Sequence, residues 1–246
     1  MLTRYELTLE SSRAVPPESE WAYPLYAALL EQLPKTVAES QHIGDRTPIS
    51  QFLRCDPDGT MRWHVSLLGT AAEDVIAPVL ETNKVYHLRK LNTVLQVTDR
   101  RKVTISSVED LLTEPHKQKR KLRFCTPTAF KSRGEYELLP TPERMLQNLV
   151  RQWNVCVPEC SIEDEDNEGI FMLTRDLRCC GLELKDRTYR LKGHPIPGIM
   201  GTLTLDNRYQ GFLAQLVNGL LTFATFSGVG IKTTLGMGGI IEEPLK

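Results

Sequence analysis

A glycine-rich segment near the C-terminus carries the clearest chemical signal in the sequence. Residues 227–239 read S-G-V-G-I-K-T-T-L-G-M-G-G, with five glycines in the twelve positions after Ser227. Glycine adopts positive φ angles without strain and lets another backbone approach closely. Successive N–H groups beside a lysine, Lys232, suit phosphate oxygens. The segment therefore predicts contact with a phosphate-bearing partner, although a tight connection between a helix and a strand also uses glycine.

The same segment differs from the phosphate loop of nucleotide-binding enzymes. In G-x-x-x-x-G-K-[ST] the lysine follows glycine directly, but here Ile231 separates Gly230 from Lys232. A helix is predicted before the segment and a strand after it, which is the reverse of the P-loop order. No dinucleotide-binding fold can be completed in the seven residues after Gly239. A nucleotide-dependent enzyme, which would bind ATP or NAD and require magnesium, is therefore the weaker alternative.

Positive charge is concentrated in one stretch of the chain. The net charge is −1, so the protein has no uniformly basic coat for nucleic acid. A local patch can still bind a polyanion, although a solvated charged face has the same composition. Residues 117–133 contain seven basic side chains and no acidic one, namely Lys117, Lys119, Arg120, Lys121, Arg123, Lys131 and Arg133.

Histidines are the candidates for proton transfer, because the unperturbed imidazole pKa is about 6.5. His64 lies in an alternating strand pattern and is interpreted as structural, and His194 lies in a loop rich in Gly and Pro. His42 lies between the first predicted helix and the next strand, just before a turn. The number of histidines is ordinary, so composition alone does not select a catalyst.

Cysteines and carboxylates do not predict a metal site. The cysteine pairs 156/160 and 179/180 lack the C-x-x-C spacing of zinc sites. The carboxylates of the turn at 56–59 and of the acidic stretch 159–168 are interpreted as solvated side chains. We therefore expect neither a bound metal nor a cofactor.

The order of predicted elements indicates an α+β fold. The 246 residues, 41% apolar and 25% charged, have an ordinary globular composition and suffice for one large domain or two of about 120 residues. The first half predicts a strand, a helix, a hairpin around Asp56-Pro57-Asp58-Gly59, a second helix and further strand. These elements are assigned to residues 2–9, 21–33, 49–55 with 60–68, 71–80 and 85–98.

The second half repeats this order less clearly. We predict two tandem ferredoxin-like (RRM-like) domains, residues 1–114 and 115–246, with the glycine-rich loop packed between them. The predicted strands of the second half are 122–126, 170–174, 182–191, 200–205 and 239–243, and the predicted helices are 141–153 and 209–226.

The sequence resembles the RAMP superfamily of CRISPR systems, in its repeat-processing endoribonuclease branch. A final helix followed by S-G-x-G-x-K-x-x-x-G-x-G-G and one strand is similar to the C-terminal motif of that superfamily. The strand at 198–205, which reads G-I-M-G-T-L-T-L, and the segments 126–130 and 139–143 are also similar to that branch. The resemblance implies a metal-independent ribonuclease that cuts CRISPR repeat transcripts into guide RNAs.

The resemblance also implies roles for individual residues. His42 matches the position of the family's catalytic histidine, and Arg46 is the nearest candidate for the cation that follows it. A tyrosine of the first helix assists in the family; Tyr26 is our candidate and Tyr23 the alternative. The attacking group would be the RNA 2′-OH, giving 2′,3′-cyclic phosphate and 5′-OH ends.

RNA binding is assigned to two parts of the chain. The first is the basic stretch 117–133 named above. The second is the glycine-rich loop, whose N–H groups would face the RNA backbone. Valine at Gly236 or Gly238 would block the close approach of RNA, so it should weaken RNA binding while leaving the fold largely in place. The loop candidates are Gly228, Gly230, Lys232, Gly236 and Gly238.

An alternative with the same fold is a non-cleaving RNA-binding subunit of a CRISPR effector complex. The expected partner in either case is CRISPR repeat RNA, and an effector complex is a further possible partner. The chain has no apolar run of 18 residues and no signal-peptide pattern at its start. We therefore expect a cytoplasmic protein without membrane contact, as a monomer or homodimer.

Overall fold

The computed structural model describes residues 2–11, 18–33, 48–164 and 166–245. Its first half forms an antiparallel sheet with two helices, α1 (Ala22–Leu30) and α2 (Thr70–Thr82), packed against it. The strands are β1 (Leu2–Ser11), β2 (Ile49–Cys55), β3 (Met61–Leu68), β4 (Val85–Leu88) and β5 (Thr93–Ile105). Their order across the sheet is β2-β3-β1-β5-β4.

The second half forms another antiparallel sheet. Its strands are β6 (Lys119–Thr128), β9 (Leu177–Leu191), β10 (His194–Asn207) and β11 (Ile240–Glu243), in the order β11-β6-β10-β9. A short hairpin, β7 (Phe130–Ser132) and β8 (Glu135–Glu137), follows β6. The helices are α3 (Val108–Leu112), α4 (Pro142–Cys156), α5 (Glu168–Thr174) and α6 (Gly211–Ser227).

Both sheets have the ferredoxin-like strand order. Without the edge strand β4, the strands of each sheet are numbered 1 to 4 in chain order. The order across the first sheet is then 2-3-1-4, and the order across the second sheet is 4-1-3-2. In each sheet a helix follows the first and the third of these strands, which is the split βαβ arrangement. The predicted α+β fold with two tandem ferredoxin-like domains is confirmed. The boundary between residues 114 and 115 stays a prediction; Leu111 of α3 already packs in the second core.

Local sequence explains where several elements begin and end. The β2–β3 hairpin turns at Asp56, whose N–H donates to Thr60 O at 2.9 Å, and Gly59 has a φ of +84°. Helix α4 begins after Thr141, whose hydroxyl accepts the Arg144 N–H, an N-cap bond that satisfies an otherwise unpaired donor. Pro142 occupies the first turn, where its missing N–H has no intrahelical partner to lose.

Two predictions of local structure are wrong. The run Ile170–Thr174 is helical as part of α5, because Asp164 accepts the N–H groups of Gly169 and Ile170 at the helix start, at 2.9 and 2.8 Å. A short apolar run of this kind does not distinguish a strand from a helix. His194 does not lie in a loop, because it is the first residue of β10 and pairs with Leu191 of β9. The pairing of β10 with β6 begins only at Ile199.

The glycine-rich loop, residues 227–239, packs between the two sheets as predicted. On the side of β2, Gln51 Nε2 donates to Thr234 O at 2.9 Å and Thr234 Oγ1 donates to Ile49 O at 3.0 Å. On the side of β6, the Gly239 N–H donates to Thr126 Oγ1 at 2.9 Å. The loop thus bonds to one strand of each sheet and joins the two sheets. No helix in the described part of the chain is long and apolar enough to span a membrane.

Candidate functional site

A cleft of about 1530 Å³ opens where α1, α4, the β7–β8 hairpin and the glycine-rich loop meet. Its wall includes the acidic residues Glu31 and Glu143. The basic side chains of the wall are Arg89, Lys131, Arg133, Arg144, Arg151, Lys192 and Lys232. Because cations outnumber carboxylates and the cleft concentrates their field, the site favours a polyanion.

Helix α4 forms one wall of the cleft with its polar face. Arg144, Asn148 and Arg151 line the cleft at helical spacing, since residues three and four apart share one face. The opposite face carries Leu146 and Leu149, both fully buried in the second core. The core therefore holds this polar stripe rigidly toward the cleft, and Asn148 also accepts the Gly230 N–H at 2.8 Å.

The two candidate tyrosines have different surroundings. Tyr26 lines the cleft with 5% of its surface exposed, and burial raises its pKa to about 12. Its hydroxyl is therefore neutral near pH 7 and suited to donating a hydrogen bond rather than accepting a proton. Tyr23 also lines the cleft, with Lys90 Nζ and Lys192 Nζ at 5.9 and 5.4 Å from its ring centre. Tyr23 therefore lies beside two cationic side chains.

The glycine-rich loop contributes to the cleft differently from the prediction. The N–H groups of Gly228, Gly230 and Gly238 do not face a ligand, because they donate to Ala224 O, Asn148 Oδ1 and Pro127 O. Lys232 is exposed at the cleft. The loop's main role in the described structure is to join the two sheets and to position this lysine.

The loop also leaves no space for side chains at two of the predicted positions. A Cβ atom at Gly236 would lie 2.4 Å from Tyr189 Oη, and one at Gly238 would lie 2.2 Å from Val229 O. The expectation that a branched residue there weakens RNA binding without unfolding the protein is therefore wrong. Contacts with protein atoms are sufficient to require glycine at these positions.

The basic stretch divides into two groups. Lys131 and Arg133, on the β7–β8 hairpin, line the cleft. The residues on β6 and just before it lie elsewhere: Lys117 pairs with Glu242 at 3.2 Å, Lys121 pairs with Glu243 at 3.7 Å, Arg123 also pairs with Glu243, and Lys119 is exposed outside the cleft wall. Carboxylates of β11 thus neutralise much of the charge along β6.

Arg120 is a structural residue and not an RNA-binding one. It is only 3% exposed, and it donates to Asn218 O, Thr222 Oγ1 and Glu242 Oε2 at 2.8, 2.9 and 2.6 Å. Alternate residues of a strand point to opposite faces, so Arg120 faces α6 while its neighbours face away. Burial alone would raise the pKa of Glu242, but the bond from Arg120 and the nearby cations hold that pKa below its ordinary value.

Replacing Arg120 by alanine is expected to lower the free energy of unfolding by about 2–3 kcal/mol. The change leaves the half-buried Glu242 without its main partner, and loss of one member of a buried pair costs about 3–5 kcal/mol when both are fully buried. Urea denaturation measures the effect. The control Lys119→Ala, on the same strand but exposed, should stay within about 0.5 kcal/mol of the wild type. Equal midpoints for the two variants would contradict this assignment.

The predicted catalytic residues His42 and Arg46 lie outside the described residues. Leu33, directly before the range 34–47, and Ile49, two positions after it, both line the cleft. His64 is structural as predicted: it is 3% exposed and stacks on Phe52 with ring centres 4.4 Å apart. Burial, reinforced by nearby arginines, lowers the pKa of His64 to about 3, so it stays neutral at physiological pH.

Sequence reasoning missed the cleft cations Arg89, Arg144, Arg151 and Lys192. Arg144 and Arg151 lie on different turns of α4, and Arg89 and Lys192 lie on two other segments of the chain. No contiguous run of charged residues therefore indicates them. In the described part of the chain, no three His, Cys, Asp or Glu side chains lie together as a metal-binding group.

Comparison with known proteins relates this chain to a defined family of CRISPR-associated proteins. The family model for CRISPR-associated endoribonuclease Cas6 matches residues 122–240. The chain is 28% identical to a Cas6 of Streptococcus thermophilus over 232 residues, covering 94% of each chain. It is 27% identical to a Cas6 of Mycobacterium tuberculosis over 226 residues, covering 90% of this chain and 71% of the relative.

Solved structures agree with the sequence comparisons. The structure of Thermus thermophilus Cas6 superposes with a TM-score of 0.75 at 26% identity, covering 99% of this chain and 98% of the other. A Cas6 product complex superposes with a TM-score of 0.77 at 25% identity, covering 99% of both chains. The tandem ferredoxin-like fold of this chain is shared with these Cas6 structures. Over nearly its whole length, the chain is therefore similar to the CRISPR-associated endoribonucleases of the Cas6 family.

Proposed function

We propose that this protein is a metal-independent endoribonuclease that binds CRISPR repeat transcripts in the described cleft and cuts them into guide RNAs. The observation that carries the proposal is the cleft itself, walled by both halves of a Cas6-family fold and lined by more cations than carboxylates. Its size accommodates nucleotides, and its cations match the phosphate backbone that dominates nucleic-acid affinity.

The chemistry is a transesterification within the RNA. The 2′-OH beside the scissile phosphate attacks phosphorus, the bond to the 5′-oxygen of the next nucleotide breaks, and a 2′,3′-cyclic phosphate and a 5′-OH result. His42 moves the proton as general acid or base, because imidazole has both protonation states available near neutral pH. Leu33 and Ile49 support this assignment, since these described residues on either side of His42 in the sequence both line the cleft.

Charge develops on the phosphate oxygens during this reaction. Arg46 and Lys232 are the cations assigned to stabilise it, and Tyr26 donates a hydrogen bond to the same group. Lys232 and Tyr26 both line the cleft, and the Tyr26 hydroxyl remains protonated at neutral pH. The protein needs no nucleophile of its own, because the RNA supplies one.

Cleavage of repeat RNA should proceed unchanged in EDTA and stop when the nucleotide 5′ of the cut carries a 2′-deoxy sugar. The deoxy substrate lacks the attacking oxygen but keeps every phosphate, so it should still bind. Gel analysis of the fragments, with phosphatase and kinase treatment of their ends, identifies the 2′,3′-cyclic phosphate and the 5′-OH.

Two outcomes would redirect the proposal. Loss of cleavage in EDTA that magnesium restores would contradict the metal-independent mechanism. Tight binding of repeat RNA without any cleavage, under conditions where the protein is folded, would favour the non-cleaving RNA-binding subunit.

A further inference from the structure

Three basic residues of the cleft have an unusual backbone conformation. The non-glycine residues with positive φ in the described part of the chain are Asn92, Arg133, Asn167, Lys192 and Lys232. Asparagine tolerates this left-handed region well, whereas long side chains rarely adopt it. The three that are not asparagine are all basic, all exposed, and all line the cleft.

Two of these residues lie at the tips of tight hairpins. Arg133 follows Ser132 in the β7–β8 turn with a φ of +49°, and Lys192 follows Leu191 in the β9–β10 turn with a φ of +52°. In each turn a glycine with positive φ comes next, as in the two-residue turn that requires positive φ at both central positions. Asparagine followed by glycine is the favoured sequence for such a turn, so a cation stands where asparagine would be more stable.

The third residue lies at a different kind of turn. Lys232 has a φ of +57° and directly precedes the short helical turn Thr233–Leu235 of the glycine-rich loop. Its carbonyl oxygen accepts the Leu235 N–H at 2.9 Å, so the backbone conformation of Lys232 is fixed by the loop. The side chain is thereby held at the cleft.

We propose that Arg133, Lys192 and Lys232 bind the RNA phosphates together as a three-point clamp. Their left-handed backbone is strained, and the fold retains this strain because it places the three side chains at the cleft. Strained conformations persist where the surrounding structure determines them, and they cluster at functional sites. The surface cations Lys121 and Arg123 of β6 are less suited to this role, because both are paired with the carboxylate of Glu243. The inference rests on the proposed function and adds Lys192, and a common geometry, to its binding site.

The double substitution Arg133→Asn with Lys192→Asn tests the clamp, because asparagine removes the charge and suits the backbone. The expected thermal midpoint is equal to or above that of the wild type. Binding of a fluorescein-labelled CRISPR repeat RNA should weaken by about tenfold or more, as hydrogen bonds to charged groups are lost. The slope of log K against log salt should flatten by about 1.4, since each phosphate contact on a single strand contributes about 0.7.

Two further variants separate charge from conformation. Arg133→Lys with Lys192→Arg keeps both charges and should retain the wild-type salt slope. Arg101→Asn removes an exposed cation of β5 that lies outside the cleft wall, and it should leave RNA affinity unchanged. Lys232 is left unaltered because its loop joins the two sheets.

The outcomes distinguish the clamp from the proposed function. Wild-type protein that neither binds nor cuts repeat RNA would overturn the proposed function itself. Wild-type protein that binds and cuts, with a double asparagine variant of equal affinity and equal salt slope, would overturn the clamp alone. A lowered thermal midpoint in the double asparagine variant would show that the left-handed cations are not strained, which also contradicts the inference.

Discussion

Replacing His42 by alanine is expected to slow cleavage of repeat RNA by about 10²- to 10⁴-fold, the usual contribution of positioned proton transfer. RNA affinity should stay close to that of the wild type, because the cleft cations that bind the phosphates are unchanged. Single-turnover cleavage with enzyme in excess measures the chemical step, and a parallel titration of the 2′-deoxy substrate measures binding. The two readouts together separate a catalytic role from a structural one.

The matched control is His87→Ala, which removes an exposed histidine outside the main cleft wall. It should cleave at the wild-type rate. If His42→Ala also cleaves at that rate, the assignment of the catalyst is wrong. His194, exposed at the start of β10, would then be the next histidine to replace.

Replacing Gly238 by alanine is expected to lower the free energy of unfolding by about 3–5 kcal/mol, which is at the upper end for a single substitution. The residue has a φ of +70°, and its Cβ would lie 2.2 Å from Val229 O. Left-handed backbone alone costs a non-glycine residue about 1–2 kcal/mol, and the overlap with a carbonyl oxygen adds to that. For a chain of this size the thermal midpoint should fall by on the order of 10 °C.

Gly134→Ala is the matched control for this prediction. Gly134 has a φ of +90°, but no atom lies within 4 Å of the position where its Cβ would be. Its replacement therefore introduces the backbone strain without the overlap, and the difference between the two variants isolates the close contact. Equal thermal midpoints would show that the loop can move away from Val229 and that its packing is less restrictive than described.

The fold could be predicted from the sequence because its signals are local. Alternation along β1, the turn at Asp56 and the cap at Thr141 each act within a few residues, and together they define the order of strands and helices. The run at Ile170 is the exception. Five apolar or β-prone residues fit either element, and the bonds from Gly169 and Ile170 to Asp164, which decide for the helix, are not visible as a pattern.

The site could be predicted only in part, because its cations are close in space and distant in sequence. A run of basic residues on a strand distributes its side chains over both faces, so Arg120 became buried while Lys121 did not. Arg144 and Arg151 lie on the polar face of α4, and such a face has the same pattern whether it meets solvent or a ligand. The sequence therefore could not distinguish the wall of the cleft from an ordinary helix surface.

The hydrogen bond from Gln51 to Thr234 joins residues 183 positions apart, and this separation has a kinetic consequence. Contacts between residues so distant in sequence form late, since a large loop must close before they contribute. The face of Phe52 that packs against Gly239 is therefore expected to stay exposed until the second half of the chain is in place. The strand pairs within each sheet join residues that are less distant in the sequence, such as Leu2 with Ile105 and Phe124 with Ile240. We therefore expect the cleft, whose walls come from both halves, to assemble after the two sheets have formed.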